Sequence, residues 1–263
     1  MKKLALAFLL LASSPSHAWT QTAPLPLQSC KIHSPYGFPD SQKTLKPICR
    51  TGYLVGYDAP AKIPAYVVYT LQPQNALGCF PRTNAFVADR SVKGGAHPDD
   101  YVGTGYDKGH VAPDGDLSWD QQVEYESFLM TNMLPQAGGF NRGIWKLLET
   151  SVRGWAVQLN APFTIYAGGI YNASDKKIGA GVTVPHGFYK IVINNKTKEI
   201  AGWMFKHKSY DPNISKVRAP IATIEKAAGV KFAYPADAKE LPAGKEWPVD
   251  FGALTKAKRA KCK

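Results

Sequence analysis

Four cysteines, Cys30, Cys49, Cys79 and Cys262, constrain this chain more than any other feature, because cross-links among them would fasten distant segments to one body. None forms a CxxC pair, and no histidine stands at zinc-finger spacing from them. Whether they pair depends on the compartment. Lys2 and Lys3 precede an apolar run over residues 4–12, and a polar stretch then ends in Ser16-His17-Ala18. Charge, apolar length and small residues together match a signal peptide cleaved after Ala18. Export to a periplasm or to the medium is therefore expected, and an even cysteine count there implies two disulfides. Three pairings can be drawn. We favour Cys30–Cys49 with Cys79–Cys262, the second of which would tie the extreme C-terminus to the body.

No internal stretch is apolar over the roughly 20 residues that a membrane span needs. Loss of residues 1–18 removes two lysines and no acid, which lowers the net charge from +12 to +10. Such an excess of cations favours polyanionic partners: nucleic acid, anionic lipid or acidic polysaccharide.

Residues 19–50 are rich in proline and polar residues and read as an irregular lead-in to a single domain over 51–263. β-Forming runs at 52–58 and 65–71 predict two strands in a hairpin-like arrangement. Residues 72–106, dense in Gly, Pro and Asp, predict a long loop with a short strand-like piece at Phe86-Val87-Ala88. Ser118 followed by Gln121 resembles a capping box and predicts a helix over 120–131, stopped by Pro135 and Gly138-Gly139. A second helix is expected from Asn141 to about Val152. Strand signals return at 163–167, 181–185, 188–194 and 199–205, with a turn at 194–197, and 220–228 predicts a late helix. Residues 256–263 read as a short basic tail. The fold expected is α+β, built on an antiparallel sheet.

Four segments carry the chemistry. They are Arg82-Thr-Asn-Ala-Phe86-Val-Ala-Asp89, Tyr106-Asp107-Lys108-Gly109-His110, Thr131-Asn132-Met133-Leu134-Pro135-Gln136, and Asn141-Arg142-Gly143-Ile144-Trp145-Lys146-Leu147-Leu148-Glu149 with Arg153 beyond. Taken singly, each has a plain structural explanation. Residues 107–110 suit a surface turn, Asn132 and Asn141 suit helix caps, and Glu149 with Arg153 suits an i,i+4 ion pair. His97, His186 and His207 have no companions that would promote them.

In this order and spacing, the segments resemble the DNA/RNA non-specific endonuclease family, with its ββα-metal (His-metal finger) active site. The resemblance covers roughly residues 53–205 and is sharpest over 82–153. It implies that His110 is the general base that takes a proton from the attacking water. It implies that Asn141 is the one direct protein ligand of a magnesium ion, for which manganese can substitute, and that Glu149 holds the ion through water. Arg82 and Arg153 are implied as phosphate contacts and Asn132 as a positioning residue. The family motif most often reads Asp-Arg-Gly-His. Here Lys108 keeps the charge of that arginine and loses its planar fork, so the role of Lys108 is in doubt.

Elementary chemistry agrees with these roles. A neutral imidazole with a pKa near 6.5 can activate water, a divalent ion can neutralise the phosphate, and arginines can bond its oxygens. On the helix expected from Asn141, Asn141 and Glu149 lie about 12 Å apart along the axis and about 80° apart around it. Water can bridge that gap. Neither Cys nor His clusters with Asn141, which argues against zinc. The function implied is an exported magnesium-dependent endonuclease acting on DNA and RNA with little sequence preference, since phosphate contacts carry no base information. Two alternatives stay open: a catalytically silent nucleic-acid or polyanion binder, and a phosphodiesterase for small or lipid-linked esters.

Overall fold

The computed structural model describes residues 21–263, so the expected leader over 1–18 lies outside the described residues. Its centre is a seven-stranded sheet. The strands are β1 (Lys46–Cys49), β2 (Leu54–Asp58) and β3 (Ile63–Leu71), then β6 (Phe163–Ile170), β7 (Gly187–Asn194), β8 (Glu199–Lys206) and β9 (Lys239–Glu240). The order across the sheet is β9-β8-β7-β6-β3-β2-β1, antiparallel throughout except for the edge pair β8 and β9. The α+β expectation holds. The segment read as an irregular lead-in supplies the opposite edge strand, β1.

Both faces of the sheet are covered, which is why its central strands are apolar at nearly every position. Alternation decides which residue serves which side. On β3, Val67, Tyr69 and Leu71 pack towards the larger core, while Tyr66 and Val68 face the smaller one. The larger core lies beneath helix α2 (Lys146–Gln158), through Leu148, Val152, Trp155 and Ala156. The smaller core is closed by helix α3 (Ile221–Ala228), through Ile221 and Ile224.

A separate two-stranded ribbon joins β4 (Tyr106–His110) to β5 (Met133–Ala137), with Lys108 opposite Pro135 and His110 opposite Met133. The local sequence pattern marked neither strand, although the resemblance implied a ββα unit. Helix α1 (Gln121–Ser127) lies between them and is shorter than the 120–131 predicted. Its cap is Asp120, whose carboxylate accepts from the Gln122 and Val123 amides at 2.8 and 3.0 Å, in place of Ser118. It stops early because the Val87 backbone pairs with Phe128 and Met130, a contact from 41 residues away that a local pattern does not contain. Gly138-Gly139, expected to stop a helix, instead starts one. A helical turn over Gly138–Phe140 opens there and runs through a π-turn at Asn141–Trp145 into α2. Of the strand expected at 181–185, only Val182–Thr183 forms, and the basic tail is helix α4 (Phe251–Lys261), capped by Asp250. The disulfides are Cys30–Cys49 and Cys79–Cys262.

Candidate active site

Ribbon β4–β5 and the helical run from Gly138 into α2 form a ββα unit, and the chemistry sits on it. His110 ends β4, and Asn141 lies in the π-turn ahead of α2. Gly143, at φ −97° and ψ −112°, breaks the regular helix between Asn141 and Glu149. The straight-helix spacing of 12 Å and 80° therefore does not apply: the wider turn resets Asn141 relative to Glu149.

A cleft of about 360 Å³ is lined by Arg82, Lys108, His110, Asn141, Glu149 and Arg153, six of the seven residues picked from the sequence. The seventh, Asn132, does not line it. Its side chain is fully buried, accepts from the Ala112 amide at 2.9 Å, and donates to the Ala112 and Ser127 carbonyls at 2.8 Å each. Asn132 fixes the chain just after His110 and has no access to a substrate.

His110 is buried between Phe128, edge-on at 4.8 Å, and Phe86, at 5.6 Å. Burial pulls its imidazole down to about 3, and the charge of Arg82 adds to the effect. The ring is therefore neutral over the physiological range, with Nε2 buried and without a hydrogen-bond partner. Gly109, next to it, is dictated by packing: a Cβ there would lie 2.2 Å from the Gln136 side chain. Gln136 belongs to the third motif and received no role from the sequence. It is fully buried, with both amide atoms unpartnered.

The Asn141 side chain is oriented by Asp107. Its amide donates to Asp107 Oδ2 at 2.9 Å, and Arg142 binds the same carboxylate through two bonds of 2.9 and 2.7 Å. Those donors hold the Asp107 carboxyl below its usual range. Because the NH₂ end is engaged, the carbonyl end of Asn141 is left for the cleft.

Glu149 and Arg153 do not form the i,i+4 ion pair that their spacing allowed. Arg153 donates to Asp116 at 2.6 Å and to Thr150 at 3.0 Å, and Tyr69 holds the other Asp116 oxygen at 2.7 Å. Gly115 admits that guanidinium, since a Cβ there would meet it at 2.9 Å. Glu149 Oε1 is buried without a hydrogen-bond partner, and its nearest cation is Lys190 Nζ at 3.9 Å. Burial pushes the Glu149 carboxyl well up, against the pull of Lys190 and Arg153. Lys190 is itself fully buried on β7, 4.3 Å from the Trp145 ring centre, and burial pulls its ammonium down. Strand alternation puts Lys190 on the α2 side of the sheet with Phe188 and Val192.

Arg82 rests on a loop, paired with Asp114 and bonded to Asn84 at 2.7 Å, with its guanidinium 4.8 Å from the Phe128 ring centre. The Thr83 amide donates to Glu124 at 2.8 Å, and the Cys79–Cys262 disulfide lies three residues upstream. Lys108 reaches over the rings of Phe86 and Tyr101, at 5.2 and 5.9 Å. His186 pairs with Asp175, and His207 accepts from the Ala137 amide while its Nδ1 meets the Pro185 carbonyl, so neither joins the cleft.

The positioning acids Asp114 and Asp116 and the buried Lys190 had no role in the sequence analysis, and Asp107 appeared there only as a motif letter. Their partners stand 32 to 41 residues away, so no local pattern pairs them.

Arg82, Lys108, Arg142, Lys146 and Arg153 make the cleft cationic, which suits a phosphodiester. Among the described residues no group of three or more His, Cys, Asp or Glu could hold a metal. An oxygen-seeking ion with few protein ligands and retained water still fits, through the Asn141 carbonyl and the unpartnered Glu149 oxygen.

Residues 33–239 match the model of the DNA/RNA non-specific endonuclease family. The chain is 28% identical over 209 residues to "Nuclease 1, mitochondrial" of Schizosaccharomyces pombe, covering 69% of this chain and 64% of that one. It is also 28% identical over 214 residues to "Nuclease" of Syncephalastrum racemosum, covering 70% and 66%. The chain thus spans just under two thirds of the length of these curated relatives. The solved structure of the EndoG/EndoGI complex superposes with a TM-score of 0.69 at 25% identity, over 78% of this chain and 91% of that one. With its ββα unit, its cleft and a match over most of its length, this chain belongs to the DNA/RNA non-specific endonuclease family.

Proposed function

We propose that the chain is an exported, magnesium-dependent endonuclease that hydrolyses phosphodiester bonds of DNA and RNA with little sequence preference, with His110 as general base. One observation carries the reading: an imidazole kept neutral by burial shares a single cleft with the Asn141 carbonyl, Glu149, Arg82 and Arg153. His110 accepts the proton of the water whose oxygen forms the new bond to phosphorus, and the bond from phosphorus to the leaving oxygen breaks. Arg82 and Arg153 offer hydrogen bonds to the phosphate oxygens, and Asn132 and Asp107 act at one remove by holding His110 and Asn141 in place. Asn141 would hold the ion directly and Glu149 through water; when bound, it supplies charge neutralisation at the phosphate and at the leaving oxygen. The cleft cations meet phosphate and leave base edges unread, which supports low sequence preference. Lys108 adds charge without the fork of an arginine.

The leader pattern over 1–18 and the two disulfides support export, with mature protein starting at Trp19. The test is cleavage of supercoiled plasmid by the mature protein, with magnesium or with excess EDTA, beside His110→Ala. Cleavage lost in EDTA and in the variant is expected. A salt-sensitive gel shift without cleavage would replace this reading with that of a silent binder. N-terminal sequencing of the protein recovered outside the cytoplasm checks the start at Trp19.

A further inference from the structure

Helix α4 lies outside the ββα unit. From residue 251 to the end there are five cations, Lys256, Lys258, Arg259, Lys261 and Lys263, and no acid. On a free tail, such a run would be a solvated polyelectrolyte. Here both ends are fastened. At its start, the Asp250 amide donates to Gln158 at 2.9 Å, Gln158 donates back to the Asp250 carbonyl at 2.6 Å, and Val249 packs where a Cβ on Gly154 would come within 2.4 Å. At its end, Cys262 is bonded to Cys79, and Lys261 donates to the Gln74 carbonyl at 2.5 Å.

Both anchors join α4 to segments that also carry cleft residues. Gly154 and Gln158 continue the helix that carries Glu149 and Arg153, and Cys79 precedes Arg82 by three residues. Lys258 stands close enough for the charge of Arg153 to add to burial in pulling its ammonium down, with Asp114 and Asp116 opposing. The outer face of α4 carries Lys256 and Arg259, which with Lys263 just past its end line a groove of about 720 Å³ beside Phe251 and Thr255. None of those three cations has an ion pair among the described residues. Lys256 and Arg259 share one face of the helix, and Lys263, two residues past its last turn, joins them in lining the groove.

We propose that this face of α4 is a second phosphate-backbone track, which holds the nucleic-acid substrate outside the cleft. The proposal rests on the nuclease reading. It favours nucleic acid over a membrane surface because α4 offers only one exposed large apolar side chain, Phe251, while Leu254 is buried.

The experiment uses the full mature chain with Lys256→Gln, Arg259→Gln and Lys263→Gln combined. The substrates are a duplex of about 30 base pairs and a dinucleotide too short to leave the cleft, over salt from about 50 to 200 mM. The duplex KM should rise about tenfold or more at low salt, and the slope of log KM against log salt should shrink by about 2 to 3. Turnover of the dinucleotide should stay within about twofold, since no cleft residue is changed. The charge-keeping set Lys256→Arg, Arg259→Lys and Lys263→Arg should retain the slope, which separates charge from folding. An unchanged duplex slope, or equal losses on both substrates, would overturn the proposal. So would an unchanged duplex KM beside lost binding to phosphatidylglycerol vesicles, which would assign the face to lipid. If the parent protein cleaves neither substrate, the nuclease reading fails instead. Duplex anisotropy in EDTA then decides the track by the same change in salt slope.

Discussion

Removal of the Cys79–Cys262 disulfide tests how a long covalent loop supports both the fold and the cleft. The two bridges close loops of 183 and 19 residues. In the chain-entropy treatment these restrict the unfolded chain by about 5 and about 3 kcal/mol at 25 °C, so the long loop is the stronger restraint by about 2 kcal/mol. Cys79 and Cys262 are exposed, whereas Cys30 and Cys49 are sealed in the core. A mild reductant should therefore open the long loop first. In urea at pH 7, Cys79→Ala/Cys262→Ala should lose several kcal/mol, up to that figure of about 5, with a steeper m because the unfolded chain expands. Cys79 also anchors the Arg82 loop, so kcat/KM on nucleic acid should fall while the native circular dichroism is kept. A loss below about 1 kcal/mol with full activity would refute both the entropic restraint and the coupling to Arg82.

Asp107→Ala should free the Asn141 amide and weaken magnesium binding about 10- to 100-fold, read by calorimetry as well as by the magnesium dependence of cleavage. Unchanged affinity would remove Asp107 from the site. Asp116→Ala leaves the largely buried Arg153 without its carboxylate and Tyr69 without its acceptor, and should cost about 3 to 5 kcal/mol in thermal melts. Asp116→Asn should recover part of the loss through Tyr69. The folded His110 lies near 3, against about 6.5 unfolded, so between those values the unfolded chain binds the extra proton. Stability from this residue is full above pH 6.5 and is lost as pH falls towards 3. His110→Gln should flatten that slope, and in the parent the His110 ring signals should stay neutral by NMR at pH 5. A His110 midpoint near 6.5 would refute the burial argument.

The sequence was rich where the signal is local. Runs such as Ala65–Tyr69 and Phe188–Ile193 are apolar at almost every position because strands covered on both faces need it, so the sheet was readable. The ordered motifs from Arg82 to Arg153 named six residues that now line one cleft. The cysteine pairing was favoured from the same chain, and the structure forms it.

What the sequence could not settle depends on contacts between remote segments. Strands β4 and β5 are five residues each, β4 is mostly polar and β5 is interrupted by Pro135, and each forms its ladder only because the other lies beside it. The end of α1 is set by Val87, the aim of Asn141 by Asp107, the resting place of Arg153 by Asp116, and the setting of Glu149 by Lys190 on the strand beneath it. Residue types alone determined the chemistry available to this protein. Only the tertiary structure decided which oxygen is free, which imidazole is neutral and which lysine is buried, because burial and hydrogen-bond partners are properties of the packed chain.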